Sequence, residues 1–208
     1  MTFKNIIFDV DGTLLDSRSQ TIEAFDRLAM DKIGRHLQGE EREFAFHNPS
    51  VETLKALGIE TNEENMAELY RHFHDLSGNL KFFPGLKEVL DQLKTRVNFM
   101  GLASNRDIDE CEYALAHNGL GQYFDDFACR DHVANPKPSG DMLVWYMKKH
   151  GLNPAETIYI GNAVTDHMAA LDAGISYGIA EWGTTEYLQE TGIVPVSYTH
   201  LTLPTTPY

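Results

Sequence analysis

The chain has 208 residues, with 17 Lys and Arg against 31 Asp and Glu, for a formal net charge of −14. Such an acidic surface repels nucleic acid and anionic membrane, so neither is expected as a partner. The length suits one core domain of roughly 150 residues plus a lid or insertion, enough to bury a core without disulfide or metal staples. Cys111 and Cys129 lack C-x-x-C spacing and read as reduced thiols of a cytoplasmic protein. No apolar run approaches the ~20 residues a bilayer span needs. Residues 1–7 pass straight into an apolar strand, so no signal peptide is expected.

In chain order, residues 4–9 (KNIIFD) form a short apolar run closed by an acidic turn, which predicts a buried strand. Ile22, Phe25, Ala29 and Ile33 then recur at helical spacing. Thr61 to Glu64 reads as a capping box opening a helix with Met66, Leu69, Tyr70 and Phe73 on one face. Residues 17–81 offer no strand candidate and read as an all-α insertion. After the Phe83-Pro84-Gly85 break, Leu86, Val89, Leu90 and Leu93 mark an amphipathic helix. A strand is predicted over 97–104, a helix over 107–117 and a strand over 124–129. A helix carrying Leu143, Tyr146 and Met147 follows, capped by Ser139 and stopped by Gly151. Strands at 157–161 and 177–180 flank a helix at 165–173 that Gly174 ends.

Strands alternating with helices predict an α/β fold: a Rossmann-like parallel sheet core, covered on both faces, with an inserted all-α helical cap domain. The expected division is 1–16 with 82–194 for the core and 17–81 for the cap, with hinges near 15–17 and 80–84. The last residues stand apart. Residues 196–206 (VSYTHLTLPTT) have neither charge nor period and resemble a translated reading frame of a sequencing adapter. Residues 195–208 are therefore expected to be non-native and the natural C-terminus to be missing. A further strand and helix would be wanted after Val194 to cover a sheet edge. His72 and His74, two apart on a helix, do not face one another and do not read as a metal pair. Trp145 and Trp182 read as packing residues.

In parallel sheets ligands sit beyond the carboxyl ends of the strands. Asp9 and Asp11 follow the first strand there, Ser104 and Asn105 the second. Lys137 lies in the Asn135-Pro136-Lys137-Pro138 loop, and Asn162 and Asp166 follow the strand at 157–161. Acids, a hydroxyl and a lysine at one sheet edge suit phosphoryl transfer. One carboxylate attacks phosphorus, a second serves as acid and base, and hydroxyl, backbone N–H and lysine hold the phosphoryl oxygens. A Mg²⁺ with oxygen ligands would let carboxylate and phosphate approach.

The string FDVDGTLLDS at 8–17 resembles the first motif of the haloacid dehalogenase-like (HAD) hydrolase superfamily. Ser104 resembles its second motif, Lys137 its third, and YIGNAVTDHMAALDAG at 159–174 its fourth. With the helical insertion after the first motif, the chain resembles the phosphoglycolate-phosphatase-like branch. The resemblance implies Asp9 as nucleophile and Mg²⁺ ligand, and Asp11 as acid/base with its carbonyl on the metal. Gly12 and Thr13 would shape the phosphate turn, Ser104 and Lys137 bind phosphate, and Asn105 orient it. Asp166 would support the metal site and the lysine. Asn162 stands where the motif usually has Asp, which removes one negative charge from the metal site. The implied function is a Mg²⁺-dependent phosphatase of a small phosphorylated metabolite. The alternatives are a catalytically weak metabolite-binding or regulatory protein, a phosphomutase, or a dehalogenase. Asp11 favours the phosphatase over the dehalogenase, which lacks that second acid. Oligomeric state is not legible in the sequence.

Overall fold

Strand β1 (Asn5–Phe8) is buried along its whole length, as befits a central strand with both faces covered. It pairs in parallel with β2 (Phe99–Ala103) on one side and β4 (Thr157–Gly161) on the other, Ile7 lying opposite Gly101 and Tyr159. Outside these lie β3 (Asp126–Ala128), β5 (Ser176–Ala180) and the two-residue β6 (Pro195–Val196), in the order β3-β2-β1-β4-β5-β6. The structure is a computed structural model that describes residues 3–48, 50–77, 80–183 and 195–196. The chain divides into two compact units, Met1–Asp16 with Lys81–Tyr208, and Ser17–Leu80.

In the sheet unit, α5 (Leu86–Lys94) buries Leu86, Val89, Leu90 and Leu93, the four residues its periodicity marked. Helices α7 (Asp141–His150) and α8 (Val164–Ala173) send Met142, Leu143, Tyr146, Ala169 and Ala170 into one cluster with Ile7 and Tyr159. Tyr146 lies across β2 because residue 101 is glycine: a Cβ there would come within 3.0 Å of the Tyr146 ring. The Tyr146 hydroxyl accepts the Leu102 N–H (3.1 Å) and lies against the carbonyls of Leu102 and Asp126. A polar group is thereby satisfied inside an apolar layer. Helix α6 (Ile108–His117) is capped by Asp107, whose carboxylate accepts the Glu110 N–H at 2.9 Å. Cys111 and Cys129 are buried free thiols; burial pushes both up, which keeps them un-ionised.

The unit Ser17–Leu80 contains α1 (Arg18–Ile33), α2 (Gly39–His47), α3 (Ser50–Ala56) and α4 (Glu63–Ser77), and no strand among the described residues. Ala24, Phe25, Leu28, Leu54 and Leu69 form its core, and the Phe25 and Phe73 rings meet edge-on at 5.6 Å. Each large side chain buried there is worth about 1.5–3 kcal/mol. Asp26 ties the loop after α1: it accepts the Leu37 N–H (2.8 Å) and meets His36 Nδ1 (2.6 Å).

The helix starts differ in detail from the sequence pattern. The α4 cap is carried by Asn62, whose Oδ1 accepts the Asn65 N–H at 2.9 Å. Thr61 therefore falls one residue short of the position that reaches an orphan donor. Gly140, not Ser139, directly precedes α7; the Ser139 hydroxyl donates to the Asp141 carboxylate at 3.0 Å and accepts the Asp141 N–H at 3.4 Å. Pro195 and Val196 pair with Ile179 and Ala180, and residues 197–208 of the stretch read as non-native lie outside the described residues. The open edge of β5 offers backbone groups that an extended segment can meet, whatever its side chains.

Candidate active site

The loops leaving β1, β2 and β4 converge at the carboxyl edge of the sheet. Asp9 is the first residue beyond β1, and its N–H donates to the Ile160 carbonyl at 2.8 Å, which continues the strand pairing one step. Its side chain is buried. The chain then reverses: the Val10 carbonyl accepts from the N–H groups of Leu14 and Leu15 (2.9 Å each), and Gly12 takes φ +76°. That left-handed conformation suits glycine. A Cβ on Gly12 would also lie 2.3 Å from Asn162 Nδ2.

Lys137 sits at the centre. Its Nζ lies within hydrogen-bond distance of Asp9 Oδ1 (2.7 Å), Asp166 Oδ1 (2.7 Å), the Tyr159 hydroxyl (2.9 Å) and the Ala103 carbonyl (3.2 Å), four acceptors for three N–H groups. One ammonium thus bridges two buried carboxylates, which keep it above its ordinary range despite burial. Asp9 is pushed up to about 7, first by burial and then by the negative Asp166, against the pull of Lys137. The pair is short of positive charge.

Asp11, two residues on, is half-buried and held by Arg106 in a two-pronged ion pair. Arg106 Nε reaches Oδ2 at 2.7 Å and Nη2 reaches Oδ1 at 2.6 Å. Burial works against the Arg106 charge, but Asp11 more than offsets it and keeps the guanidinium protonated. Ser104 is buried at the end of β2, and its Oγ accepts the Arg106 N–H at 3.2 Å. Thr13 is fully buried and donates to Asn162 Oδ1 at 3.2 Å.

Two of the sequence-derived site residues have partners within the protein. Asn105 is spent on the backbone of Lys137: its Nδ2 donates to the Lys137 carbonyl and its Oδ1 accepts the Lys137 N–H, each at 2.9 Å. It therefore ties the lysine loop to the loop after β2. Asp166 was expected to support the metal site and the lysine, and both its oxygens have partners. Oδ1 meets Lys137 and Tyr159, and Oδ2 accepts the N–H groups of Asn162 (3.1 Å) and Ala163 (3.0 Å) at the start of α8. Its place is beside the lysine and the helix N-terminus.

Tyr159, Arg106 and Trp182 are site neighbours that the sequence reading did not assign. Tyr159 lies inside a strand read simply as apolar. Arg106 follows Ser104-Asn105 directly, and the charge of Asp11 called for such a cation. Trp182, read as packing, donates from Nε1 to the Thr13 carbonyl at 2.7 Å.

The donor set also admits a hard cation. The Asp9 carboxylate, the Asp11 carbonyl and Asn162 Oδ1 all offer oxygen, and the surplus of negative charge around Asp9 favours a divalent ion there.

A parallel sheet with an inserted helical unit and carboxylates after its first strand defines a HAD-like hydrolase. The chain belongs to that family: the model of the haloacid dehalogenase-like hydrolases matches residues 6–180. It is an enzyme of the phosphatase type within the family. A phosphoglycolate phosphatase of Vibrio parahaemolyticus is 30% identical over 190 residues, covering 85% of this chain and 83% of that protein. A pyrophosphatase of Bacillus velezensis is 28% identical over 183 residues, covering 85% and 82%. An N-acetylmuramic acid 6-phosphate phosphatase of Pseudomonas putida is 25% identical over 197 residues, covering 88% and 85%. Among solved structures, CbbY of Rhodobacter sphaeroides in complex with phosphate superposes with a TM-score of 0.78 over 96% of each chain, at 19% identity. That last likeness is one of fold. No helix among the described residues is long and apolar enough to cross a membrane.

Proposed function

We propose that this enzyme is a cytoplasmic, Mg²⁺-dependent phosphomonoesterase that hydrolyses a small phosphorylated metabolite, with 2-phosphoglycolate the first candidate, through an aspartyl phosphate on Asp9. The observation that carries this reading is the buried Asp9 carboxylate, fixed through one oxygen by Lys137 at 2.7 Å, with Asp11 two residues on beside Arg106. A carboxylate so held has one oxygen committed and the other for attack.

In this reading Asp9 Oδ2 forms a bond to phosphorus while the ester P–O bond breaks, leaving an acyl phosphate and an alkoxide. Asp11 delivers a proton to that alkoxide. Both Asp11 oxygens meet Arg106 in the resting enzyme, so Asp11 acts once that two-pronged pair opens beside the arriving phosphate. Asp11 then takes a proton from the water that attacks the acyl phosphate, releasing inorganic phosphate and restoring Asp9. Ser104 and Lys137 hold phosphoryl oxygens through a hydroxyl and an ammonium. Asp9, the Asp11 carbonyl and Asn162 would hold the Mg²⁺, which when bound neutralises charge between carboxylate and phosphate.

The test is phosphate release from a phosphomonoester panel, with Mg²⁺ or with EDTA, comparing the wild type with Asp9→Asn. Mg²⁺-dependent release should fall by about a thousandfold or more in Asp9→Asn. Turnover that survives the substitution, or that EDTA leaves unchanged, overturns the proposal.

A further inference from the structure

We propose that Trp182 and Gly183 form a strap that positions the nucleophile turn, and that Asn162 is an amide because it pins this strap. Strands β1, β4 and β5 are successive neighbours in the sheet, so the loops that leave their carboxyl ends run side by side. Residues 181–183 form a short 3₁₀ turn directly after β5. From that turn the Trp182 indole N–H reaches the Thr13 carbonyl at 2.7 Å.

Gly183 lies against Gly12. A Cβ at position 183 would stand 1.6 Å from the Gly12 carbonyl oxygen and 2.7 Å from its carbon, both backbone atoms. No rotamer change relieves such an overlap, so glycine is required for the two loops to touch.

Asn162 closes the junction. Its Nδ2 faces the Gly183 carbonyl at 3.4 Å, and its Oδ1 accepts from the Thr13 hydroxyl at 3.2 Å. A carbonyl oxygen only accepts, so the group facing Gly183 has to be a donor. A carboxylate at 162 could still meet Thr13, but it would set oxygen against oxygen at Gly183. The departure from the family's usual Asp thus has a local cause: this chain trades one negative charge for a bridge between two backbone turns. The bridged turn is the one between Asp9 and the α1 unit, and it carries Asp11. Small displacements of reacting groups cost orders of magnitude in rate, so Trp182 acts as a positioning residue with no contact to the reacting atoms required.

The inference rests on the proposed phosphatase reading, and its test has one arm that needs no turnover. In a Trp145→Phe background Trp182 is the chain's remaining indole. Asn162→Asp in that background should unseat the strap and move the Trp182 emission toward longer wavelength in metal-free protein. In the activity arm, Trp182→Phe keeps a ring but loses the N–H. It should lower kcat by about tenfold with KM within twofold, in protein whose far-UV circular dichroism and melting point match the wild type. Asn162→Asp should also lower kcat. The strap is overturned if Asn162→Asp leaves the emission unchanged, if Asn162→Asp raises kcat while tightening Mg²⁺, or if Trp182→Phe leaves kcat within twofold. A folded wild type that releases phosphate from no ester overturns the phosphatase reading instead, and the emission arm still decides the strap.

Discussion

Replacing Lys137 by Met removes the ammonium that bridges Asp9 and Asp166 while keeping a side chain of similar length. Lys137 has 5% of its side chain exposed, Asp9 7% and Asp166 1%, so water cannot take over. Breaking a buried ion pair by deleting one partner costs about 3–5 kcal/mol, because the other charge is left without compensation. Domains have about 5–15 kcal/mol in total, so the loss is a large fraction of the whole. At about 2–4 °C per kcal/mol for a chain of this size, the melting point should fall by about 6–20 °C.

The loss should depend on pH. Asp9 is raised in the folded chain to about 7 from the ordinary 3.8, so between those values the native state binds more protons than the unfolded chain. Its contribution to stability therefore declines as pH rises through that window. Without Lys137 the upward push is stronger. The deficit of the variant should be largest above pH 7 and smaller near pH 5, where a proton replaces the missing cation. Urea unfolding of both proteins in EDTA, at pH 8 and pH 5, measures this. A deficit below about 1 kcal/mol, or one equal at both pH values, would refute the reasoning that the lysine is an obligatory counter-charge.

Asp26→Ala should cost about 1.5–3 kcal/mol, since it strands the Leu37 N–H and removes the His36 contact. Burial pushes the Asp26 carboxyl up, but the Leu37 N–H and His36 outweigh it and hold it below 3.8. The difference between wild type and variant in urea should therefore be full above pH 3.8 and shrink as pH falls through the lowered value. Tyr146→Phe should cost about 1–3 kcal/mol by leaving polar groups of β2 without the hydroxyl; faster hydrogen exchange at Leu102 would locate the effect, and an unchanged melting point would exclude it.

Much of the fold was legible before any coordinates, because it rests on local patterns. The i, i+3, i+4, i+7 spacing of Leu86 to Leu93 dictates which face α5 buries. The apolar strands at 5–8 and 157–161, separated by helices, dictate a parallel sheet. The carboxylates, Ser104 and Lys137 were legible as a group because strand ends in such a sheet share one edge.

Other features depended on distance in space between residues far apart in sequence. That Tyr159 joins Lys137 on Asp166 Oδ1, and that the Asn105 amide closes on the Lys137 backbone, emerges only in the folded chain. Side-chain chemistry states what a group can donate or accept, and only the packed chain states which partner arrives first. Trp182 makes the same point across 169 positions: its N–H is satisfied by the Thr13 carbonyl, a partner no local pattern encodes. The sequence alone determined the elements, the sheet edge where chemistry collects and the acids that stand there, because these follow from periodicity and strand termini. The tertiary structure alone decided how the buried charges are shared, because each buried polar group takes whichever complement the fold brings within about 3 Å.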